Sequence, residues 1–352
     1  MELPPKNVQL QNRTELDVWS ARDHFRRFVR GFFHDRDYVE IDTPILVMSP
    51  GTEVHLNYFD TRWTDHSGKV HQQFLRSSPE LHLKQALARG FKKVFHIAPC
   101  FRNKGEHSKW HHPEFSMLEW YETGLDYDAI IGQTESFIFA AAKSLAEYFA
   151  EHNLAFKHPV LPVRFPRYKI KDAFRDFSNI DLIDEDPDLA TKARKAGCQS
   201  VLAEDDFETA FFKVLLDKIE PAIAAAGGAV LTDYPPSQAA LAIIKCGVAK
   251  RFEFYLPSPE GSSEVIELCN GFEELLGEKE NRLRIQKAAE LRAVAGNPPV
   301  PEDPDFYAAM SRGLPPCSGN ALGFDRLFGF LLGEVSLDAV IPFRGAAAWK
   351  RD

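Results

Sequence analysis

Strand-like segments recur along this chain without the regular alternation with helices that a parallel α/β sheet requires. They are rich in β-branched and aromatic residues, and turn residues bound them. The segments are residues 38–44, 94–101, 114–121, 229–233, 251–256 and 265–269. The pattern predicts an α+β fold in which helices flank an antiparallel β-sheet.

Helical spacing of apolar residues appears in three places. From Val18 to Phe33 it predicts an amphipathic helix that begins after Thr14. Residues 171–226 are mostly helical and acidic, and residues 276–295 form a charged helix that ends at a Gly-Asn-Pro-Pro turn. We therefore expect residues 1–14 to be a tail, and residues 15–352 to be a single catalytic domain with a helical insertion at 171–226.

Composition excludes several classes of protein. The chain has 42 Lys and Arg against 51 Asp and Glu, a formal net charge of -9, so it does not suit broad coating of nucleic acid. Its five cysteines are scattered and form no C-x-x-C pair, which argues against a disulfide framework or a thiolate zinc site. The sequence shows no secretion signal and no apolar run of about 18 residues, so we expect a cytoplasmic protein without a membrane span.

A polar loop precedes the strand at 114–121. Period-two alternation puts Phe115, Glu119 and Tyr121 on one face of that strand, and Arg102 precedes the loop. A carboxylate flanked by aromatic rings suits a flat base beside an amine. An ordinary half-buried strand and a solvated arginine explain the same pattern, so this stretch alone does not decide.

Two carboxylates lie on neighbouring predicted strands. Glu253 and Glu267 would face each other across an antiparallel pair, and such like charges repel unless a cation lies between them. Hard oxygen ligands suit Mg²⁺. A solvent-facing acidic edge is the alternative.

Near the end of the chain, a strand of small residues runs into an apolar helix. Gly319 and Gly323 would let a ligand approach the backbone closely. Arg326 falls in the first turn of the helix, where the partial positive charge favours phosphate. Ordinary turn chemistry before a helix is the alternative.

These pieces occur in an order that is specific. Residues 31–44, 101–121 and 319–327 resemble motifs 1, 2 and 3 of class II aminoacyl-tRNA synthetases. The strings S-P-E-L-H-L-K, H-x-P-E-F-S-M-L-E-W-Y and E-L-C-N-G-F-x-E-L resemble the lysyl-tRNA synthetase branch. Within it, the elongation factor P-(R)-β-lysine ligase family is most similar, since it too lacks an anticodon-binding domain and has alanine at the position of Ala321.

The resemblance implies a set of residue roles. Arg102 would contact the α-phosphate of ATP, Arg326 the γ-phosphate, and Phe115 the adenine. Other residues implied to bind ATP are Asn103, His111, His112, Glu267, Leu268 and Gly323. Mg²⁺ would be bound by Glu253 and Glu267. Residues implied to surround the amino acid are Ser78, Glu80, Glu119, Tyr121, Asn270, Glu274 and Ala321.

The resemblance also implies a reaction and partners. Lysine or (R)-β-lysine would be activated as its adenylate and passed to a lysine side chain of elongation factor P, by a homodimer that does not use tRNA. A stand-alone adenylate-forming enzyme with another acceptor, or a non-catalytic synthetase relative, are the alternatives. The chain departs from the family at Lys104, where a glutamate is usual, and in a longer connection at 257–263.

Overall fold

The first helix begins where the sequence predicts. Thr14 caps helix α1 (Glu15–His34) in a capping box: its hydroxyl accepts from the Asp17 amide at 3.2 Å, and the Asp17 carboxylate accepts from the Thr14 amide at 2.8 Å. In the computed structural model, which describes residues 13–105, 108–156, 160–261 and 263–343, its apolar face is buried. The amphipathic helix is thus confirmed.

Twelve strands occur in the part of the chain that the structure describes. They are β1 (Val39–Glu40), β2 (Leu46–Val47), β3 (Asp60–Thr64), β4 (Val70–Leu75), β5 (Lys93–Phe101), β6 (Glu114–Thr123), β7 (Arg167–Lys169), β8 (Ala229–Tyr234), β9 (Ile244–Lys245), β10 (Val248–Pro257), β11 (Val265–Glu273) and β12 (Cys317–Gly323).

Ten α-helices are described. After α1 they are α2 (Glu80–Ala88), α3 (Tyr127–Glu151), α4 (Ile170–Ser178), α5 (Leu189–Lys195), α6 (Phe207–Val214), α7 (Glu220–Ala225), α8 (Glu278–Val294), α9 (Pro304–Arg312) and α10 (Phe324–Leu331).

One large sheet organises these elements. Its strand order is β1-β5-β6-β12-β11-β10-β8-β7, with β9 beside β10, while β2, β4 and β3 form a small separate sheet. The central pairs are antiparallel, as predicted, and parallel pairs occur at the two ends, between β1 and β5 and between β7 and β8. Helices α1, α3 and α10 cover one face with an aromatic-rich core.

Residues 171–226 are mostly helical, as predicted, while their being an insertion stays a prediction. Helices α4 to α7, with a π-helical segment at Leu215–Ile219, have their own apolar core, which continues onto β8 and β10. The single catalytic domain at 15–352 stays a prediction.

Two further observations concern membrane-spanning helices and the cysteines. Within the described ranges, no helix combines the length and apolarity needed to cross a membrane. All five cysteines are free thiols, and Cys246 is the exposed one.

Candidate active site

The face of the sheet opposite the aromatic core opens into a cavity of about 1490 Å³. Register carries one row of side chains across it: Glu119 pairs with Ala321, Ala321 with Asn270, and Asn270 with Glu253. Since residues paired in register share a face, motifs far apart in sequence meet in this row. Thirteen of the predicted site residues line the cavity: Ser78, Glu80, Arg102, Asn103, His111, His112, Phe115, Glu267, Leu268, Asn270, Ala321, Gly323 and Arg326.

Two arginines meet at one end of the cavity. Burial lowers the pKa of Arg326, the negative charge of Glu267 raises it, and the positive charge of Arg102 lowers it. The two guanidinium groups are therefore near each other, and both line the cavity. Arg326 Nη1 donates to the Glu267 carbonyl at 2.7 Å and its Nε to the Trp110 carbonyl at 3.2 Å. Arg102 Nε is buried without a partner. Two close cations with an unused donor are a site for an anion.

Asp325, which sequence reasoning missed, fixes this end to the rest of the fold. Its buried carboxylate accepts from the Ser116 amide at 2.6 Å and from Arg22 of α1 at 2.5 Å. The aspartate of the string G-F-D-R was the available signal. One carboxylate thus ties the first helix, motif 2 and motif 3 together.

The glycines of the last motif make room for side chains of the protein itself. A Cβ on Gly323 would lie 3.1 Å from Cδ of Arg326, and a Cβ on Gly319 would lie 2.2 Å from the ring of Tyr121. Gly323 also lines the cavity, and the expectation that a ligand approaches it closely stays a prediction. Gly323 lets the Arg326 side chain fold back across β12.

The remaining nucleotide candidates surround the arginines. His111 reaches into the cavity, where loss of solvent and then the charges of Arg326 and Arg102 lower its pKa to about 4, so it is neutral. His112 Nε2 is buried without a partner. The Arg102 guanidinium lies over the ring of Phe115, 5.2 Å from its centroid. Asn103 is held to the loop before β3 by a backbone bond from its amide to the Asn57 carbonyl, 2.9 Å long.

A β-bulge interrupts the pairing of β10 with β11 next to Glu267. Phe254 pairs with Cys269 but Tyr255 pairs with Glu267, so Leu268 is the extra residue on β11. Leu268 and Cys269 contact both the core and the cavity, and Glu267 lines the cavity. Glu253 pairs with Asn270 and Glu267 with Tyr255, so the two carboxylates do not lie directly opposite each other. The bulge puts Glu267 on the same face of the sheet as Glu253, because Glu267 pairs with Tyr255, two residues along the strand from Glu253.

The two carboxylates differ in their surroundings. Glu253 is buried: its Oε2 accepts from the hydroxyls of Tyr234 and Tyr255, each at 2.5 Å, and its Oε1 from Arg251 Nη2 at 2.5 Å. Desolvation and then the charge of Glu253 raise the pKa of Glu267. The repulsion between the two carboxylates would favour a cation bound mainly by Glu267. The charge of Glu253 is already offset by its ion pair with Arg251.

No group of three or more His, Cys, Asp or Glu side chains arranged to hold a metal occurs among the described residues. Protein sites for Mg²⁺ often consist of one or two carboxylates that act together with substrate phosphates and water. Two carboxylates close to a pair of arginines that could bind phosphate are a set of that kind.

The other end of the cavity carries the opposite charge. Glu119 is 1% exposed; it accepts from the Ser78 hydroxyl at 2.8 Å and from the Tyr121 hydroxyl at 2.6 Å. Burial, then the charge of Glu80, raises the pKa of Glu119 to about 8. Asn270 Oδ1, on the next strand but one, is buried without a partner. These groups suit an ammonium ligand.

A buried lysine, also missed from the sequence, lies among these carboxylates. Lys84 Nζ is 2.6 Å from Glu80 Oε1 and 2.6 Å from Glu274 Oε2. Glu274 Oε1 has no hydrogen-bond partner, and burial raises the pKa of Glu274 to about 7. The i, i+4 spacing of Glu80 and Lys84 in S-P-E-L-H-L-K was the signal. Glu119, Tyr121 and Glu274 lie just behind the cavity wall.

The two departures from the family pattern lie in different parts of the structure. Lys104 lines the cavity and adopts a left-handed φ of 50°. In the longer connection at 257–263, Glu260 contacts Lys109 of the motif 2 loop. Glu106, two residues after Lys104 and a candidate to replace the usual glutamate, lies outside the described residues.

Comparison with known proteins agrees with this geometry. The family described as tRNA synthetases class II (D, K and N) matches residues 2–346. The chain belongs to this family. Three similar relatives are named elongation factor P-(R)-β-lysine ligase: they come from Proteus mirabilis, at 32% identity, and from Klebsiella pneumoniae and Salmonella gallinarum, each at 33%. Each match covers 90% of this chain and 91% of the relative.

Membership of this family of ligases carries the coarse function. The chain is an ATP-dependent ligase with a class II synthetase fold. Three residues that line the cavity, Arg102, His112 and Asn270, each have a buried polar side-chain atom without a partner. Because buried polar atoms normally find partners, these three indicate where a ligand binds.

Proposed function

We propose that this enzyme activates lysine or (R)-β-lysine with ATP and transfers it to a lysine side chain of elongation factor P. One observation carries the proposal. The cavity has a cationic end, with Arg102 and Arg326, and an anionic end, with Glu80 in its wall and Glu119 and Glu274 behind it. ATP suits the first end, and an amino acid with two ammonium groups suits the second.

In the first step a carboxylate oxygen of the amino acid attacks the α-phosphorus of ATP. The bond between the α-phosphorus and the bridging oxygen breaks, and pyrophosphate leaves. The attacking carboxylate is already ionised, so no base is needed, and the enzyme acts by orientation and charge stabilisation. Arg102 is assigned to the α-phosphate, Arg326 to the γ-phosphate and Phe115 to the adenine. Asn103, His111, His112, Leu268 and Gly323 complete the nucleotide end.

Mg²⁺ bound by Glu267, with Glu253 in support, would offset the charge of the triphosphate. Arg251 holds Glu253 in place through a salt bridge of 2.5 Å, and Tyr234 and Tyr255 donate to its other oxygen. These contacts keep a buried carboxylate oriented beside Glu267.

At the other end, Ser78 orients Glu119, and Ala321 lies beside Glu119 in register. Glu80, Glu119 and Glu274 are assigned to the ammonium groups, with Tyr121 and Asn270 as neutral partners. In the second step an uncharged acceptor amine attacks the carbonyl carbon of the adenylate, AMP leaves, and the amine nitrogen loses a proton to solvent.

Two properties follow from the proposal. An acceptor that works in translation would place the enzyme in the cytoplasm. Helix α1 and strand β1, which resemble the dimer-forming motif of the family, would form a homodimer. The relatives are named elongation factor P-(R)-β-lysine ligase, which supports elongation factor P as the acceptor.

The test combines two assays on the full chain. ATP–pyrophosphate exchange is run with α-lysine, with (R)-β-lysine and with other amino acids, and the intact mass of elongation factor P is measured after incubation with enzyme, ATP and Mg²⁺. We expect exchange with one lysine isomer and a gain of one lysyl group. Exchange without any gain in mass would favour a different acceptor, and no exchange with any amino acid would contradict the proposal.

A further inference from the structure

The anionic end of the cavity contains a cation that the proposed reaction does not use. The Lys84 side chain is 2% exposed, and its ammonium group lies between Glu80 on its own helix and Glu274 beyond the end of β11. Both N to O distances are 2.6 Å. A buried ammonium held this way fixes the positions of both carboxylates relative to each other.

The lysine also changes the charge of this end. The three carboxylates Glu80, Glu119 and Glu274 carry a formal charge of -3 when all are ionised, and one ammonium reduces it to -2. A ligand with two ammonium groups would then neutralise the pocket, whereas one with a single ammonium would leave a buried carboxylate uncompensated. Uncompensated buried charges are strongly unfavourable.

We propose that Lys84 is a positioning and specificity residue, an internal counter-ion that orients Glu80 and Glu274 and sets the pocket charge to match an amino acid with two ammonium groups. This inference rests on the proposed function, since it deepens the account of the same substrate end. Lys84 acts through the carboxylates and need not touch the substrate.

The charges around Lys84 make the inference testable by pH. The titratable groups that face it are Glu80 on α2, Glu119 and Tyr121 on β6, Glu274 after β11 and Cys317 at the start of β12. Burial raises the pKa of Tyr121 and Cys317, so both stay neutral near pH 7. The positive charge of Lys84 opposes the rise in the pKa of Glu119 and Glu274. Its removal would therefore raise both further.

The experiment compares Lys84→Met with wild type and with Lys84→Arg in amino-acid-dependent ATP–pyrophosphate exchange from pH 6.5 to 9. Methionine keeps most of the length of the side chain without its charge. For Lys84→Met we expect KM for the lysine substrate to rise about 30-fold or more at pH 7.5, since loss of one partner of a buried ion pair is costly. KM for ATP should stay within about twofold, and the pH midpoint of the amino-acid KM should move upward. Lys84→Arg should restore the midpoint.

A Lys84 side chain that only fills space in the core would give a different result. If Lys84→Met leaves the amino-acid KM and its pH midpoint unchanged, or lowers only kcat, the inference is wrong. Should Lys84→Met fail to fold, as judged by ATP binding, the double variant Glu80→Gln with Lys84→Met removes both charges of that pair. Its pH midpoint should lie near that of wild type, and a midpoint shifted upward would overturn the inference.

Failure of the proposed function is distinguishable from failure of this inference. If the wild-type enzyme shows no ATP–pyrophosphate exchange with either lysine isomer, both the proposed function and the role of Lys84 are wrong. Wild-type enzyme with exchange, combined with an unchanged KM in Lys84→Met, removes only the role of Lys84.

Discussion

The two ends of the cavity differ in how their charge is balanced. At the cationic end, which is the proposed phosphate end, Arg102 and Arg326 lie near each other, and Arg102 Nε has no partner. At the amino-acid end, Lys84 already pairs with two of the three carboxylates. The first end therefore has an unused donor for a highly charged anion, whereas at the second end one ammonium already offsets part of the charge of the carboxylates.

This difference matches the two ligands. A triphosphate carries several negative charges whatever amino acid is used, so an open, unbalanced cationic end suffices. An amino acid has to be selected by the number and placement of its ammonium groups, and selection needs a defined residual charge behind the cavity wall. The largest effects of substitution should therefore occur at the phosphate end.

Removal of either arginine would break the phosphate end. For Arg102→Ala and Arg326→Ala we expect kcat for ATP–pyrophosphate exchange to fall about 1000-fold, because each is proposed to stabilise negative charge on the phosphates of ATP. Arg62, exposed on β3, is the matched control, and Arg62→Ala should behave like wild type. If all three variants are equally active, Arg102 and Arg326 do not have the role in catalysis that is proposed for the cationic end.

Neutralising one carboxylate would sharpen the comparison at the amino-acid end. For Glu274→Gln we expect KM for the lysine substrate to rise about 100-fold, because a charged contact to an ammonium is lost, with KM for ATP unchanged. Glu290 is exposed on α8, so Glu290→Gln is the control. A rise in KM for ATP of the same size would mean that the two ends do not act separately.

The pH dependence should also differ between the ends. The pKa of Glu119 is raised to about 8 and that of Glu274 to about 7, so both hold protons that an ammonium ligand must displace. Raising the pH from 6.5 to 8.5 removes these protons and should lower the amino-acid KM about tenfold. His111 has a pKa of about 4 and does not titrate in this range. An amino-acid KM that rises over this range would contradict these pKa values.

Sequence reasoning located the motifs better than their contacts. Alternation placed Phe115, Glu119 and Tyr121 on one face, and the structure agrees for Glu119 and Tyr121, which hydrogen-bond to each other. The β-bulge at Leu268 was not predictable, because one extra residue in a strand leaves no clear trace in apolar spacing. That bulge puts Glu267 on the same face of the sheet as Glu253.

Lys84 and Asp325 were hidden for a related reason. Each stands inside a motif that was recognised, but its partners lie far away in sequence: Glu274 for Lys84, and Arg22 for Asp325. Local patterns show which residues share a helix face or a strand face. Only the strand order brings α2 to the end of β11, and α1 to the start of α10.

The smallest predicted effect concerns the stability of the empty amino-acid end. Because the folded pKa of Glu119, about 8, lies above its ordinary value, the folded protein holds a proton that the unfolded chain releases. This group thus costs stability as the pH rises above its ordinary pKa, up to about pH 8. Glu119→Gln cannot ionise and avoids that cost.

For Glu119→Gln without substrate, we expect Tm relative to wild type to be about 2–4 °C more favourable at pH 8.5 than at pH 5. The amide has one acceptor oxygen for Ser78 or Tyr121, as the protonated acid does at pH 5, and the raised pKa of Glu119 already includes the hydrogen bonds that its carboxylate accepts at pH 8.5, so the difference between the two pH values is diagnostic. In wild type, a saturating lysine substrate should raise Tm more at pH 8.5 than at pH 5, since its ammonium groups then meet an ionised Glu119. If the change in Tm caused by Glu119→Gln is the same at both pH values, Glu119 is already ionised in the empty pocket, and Lys84 balances that end more completely than its two contacts indicate.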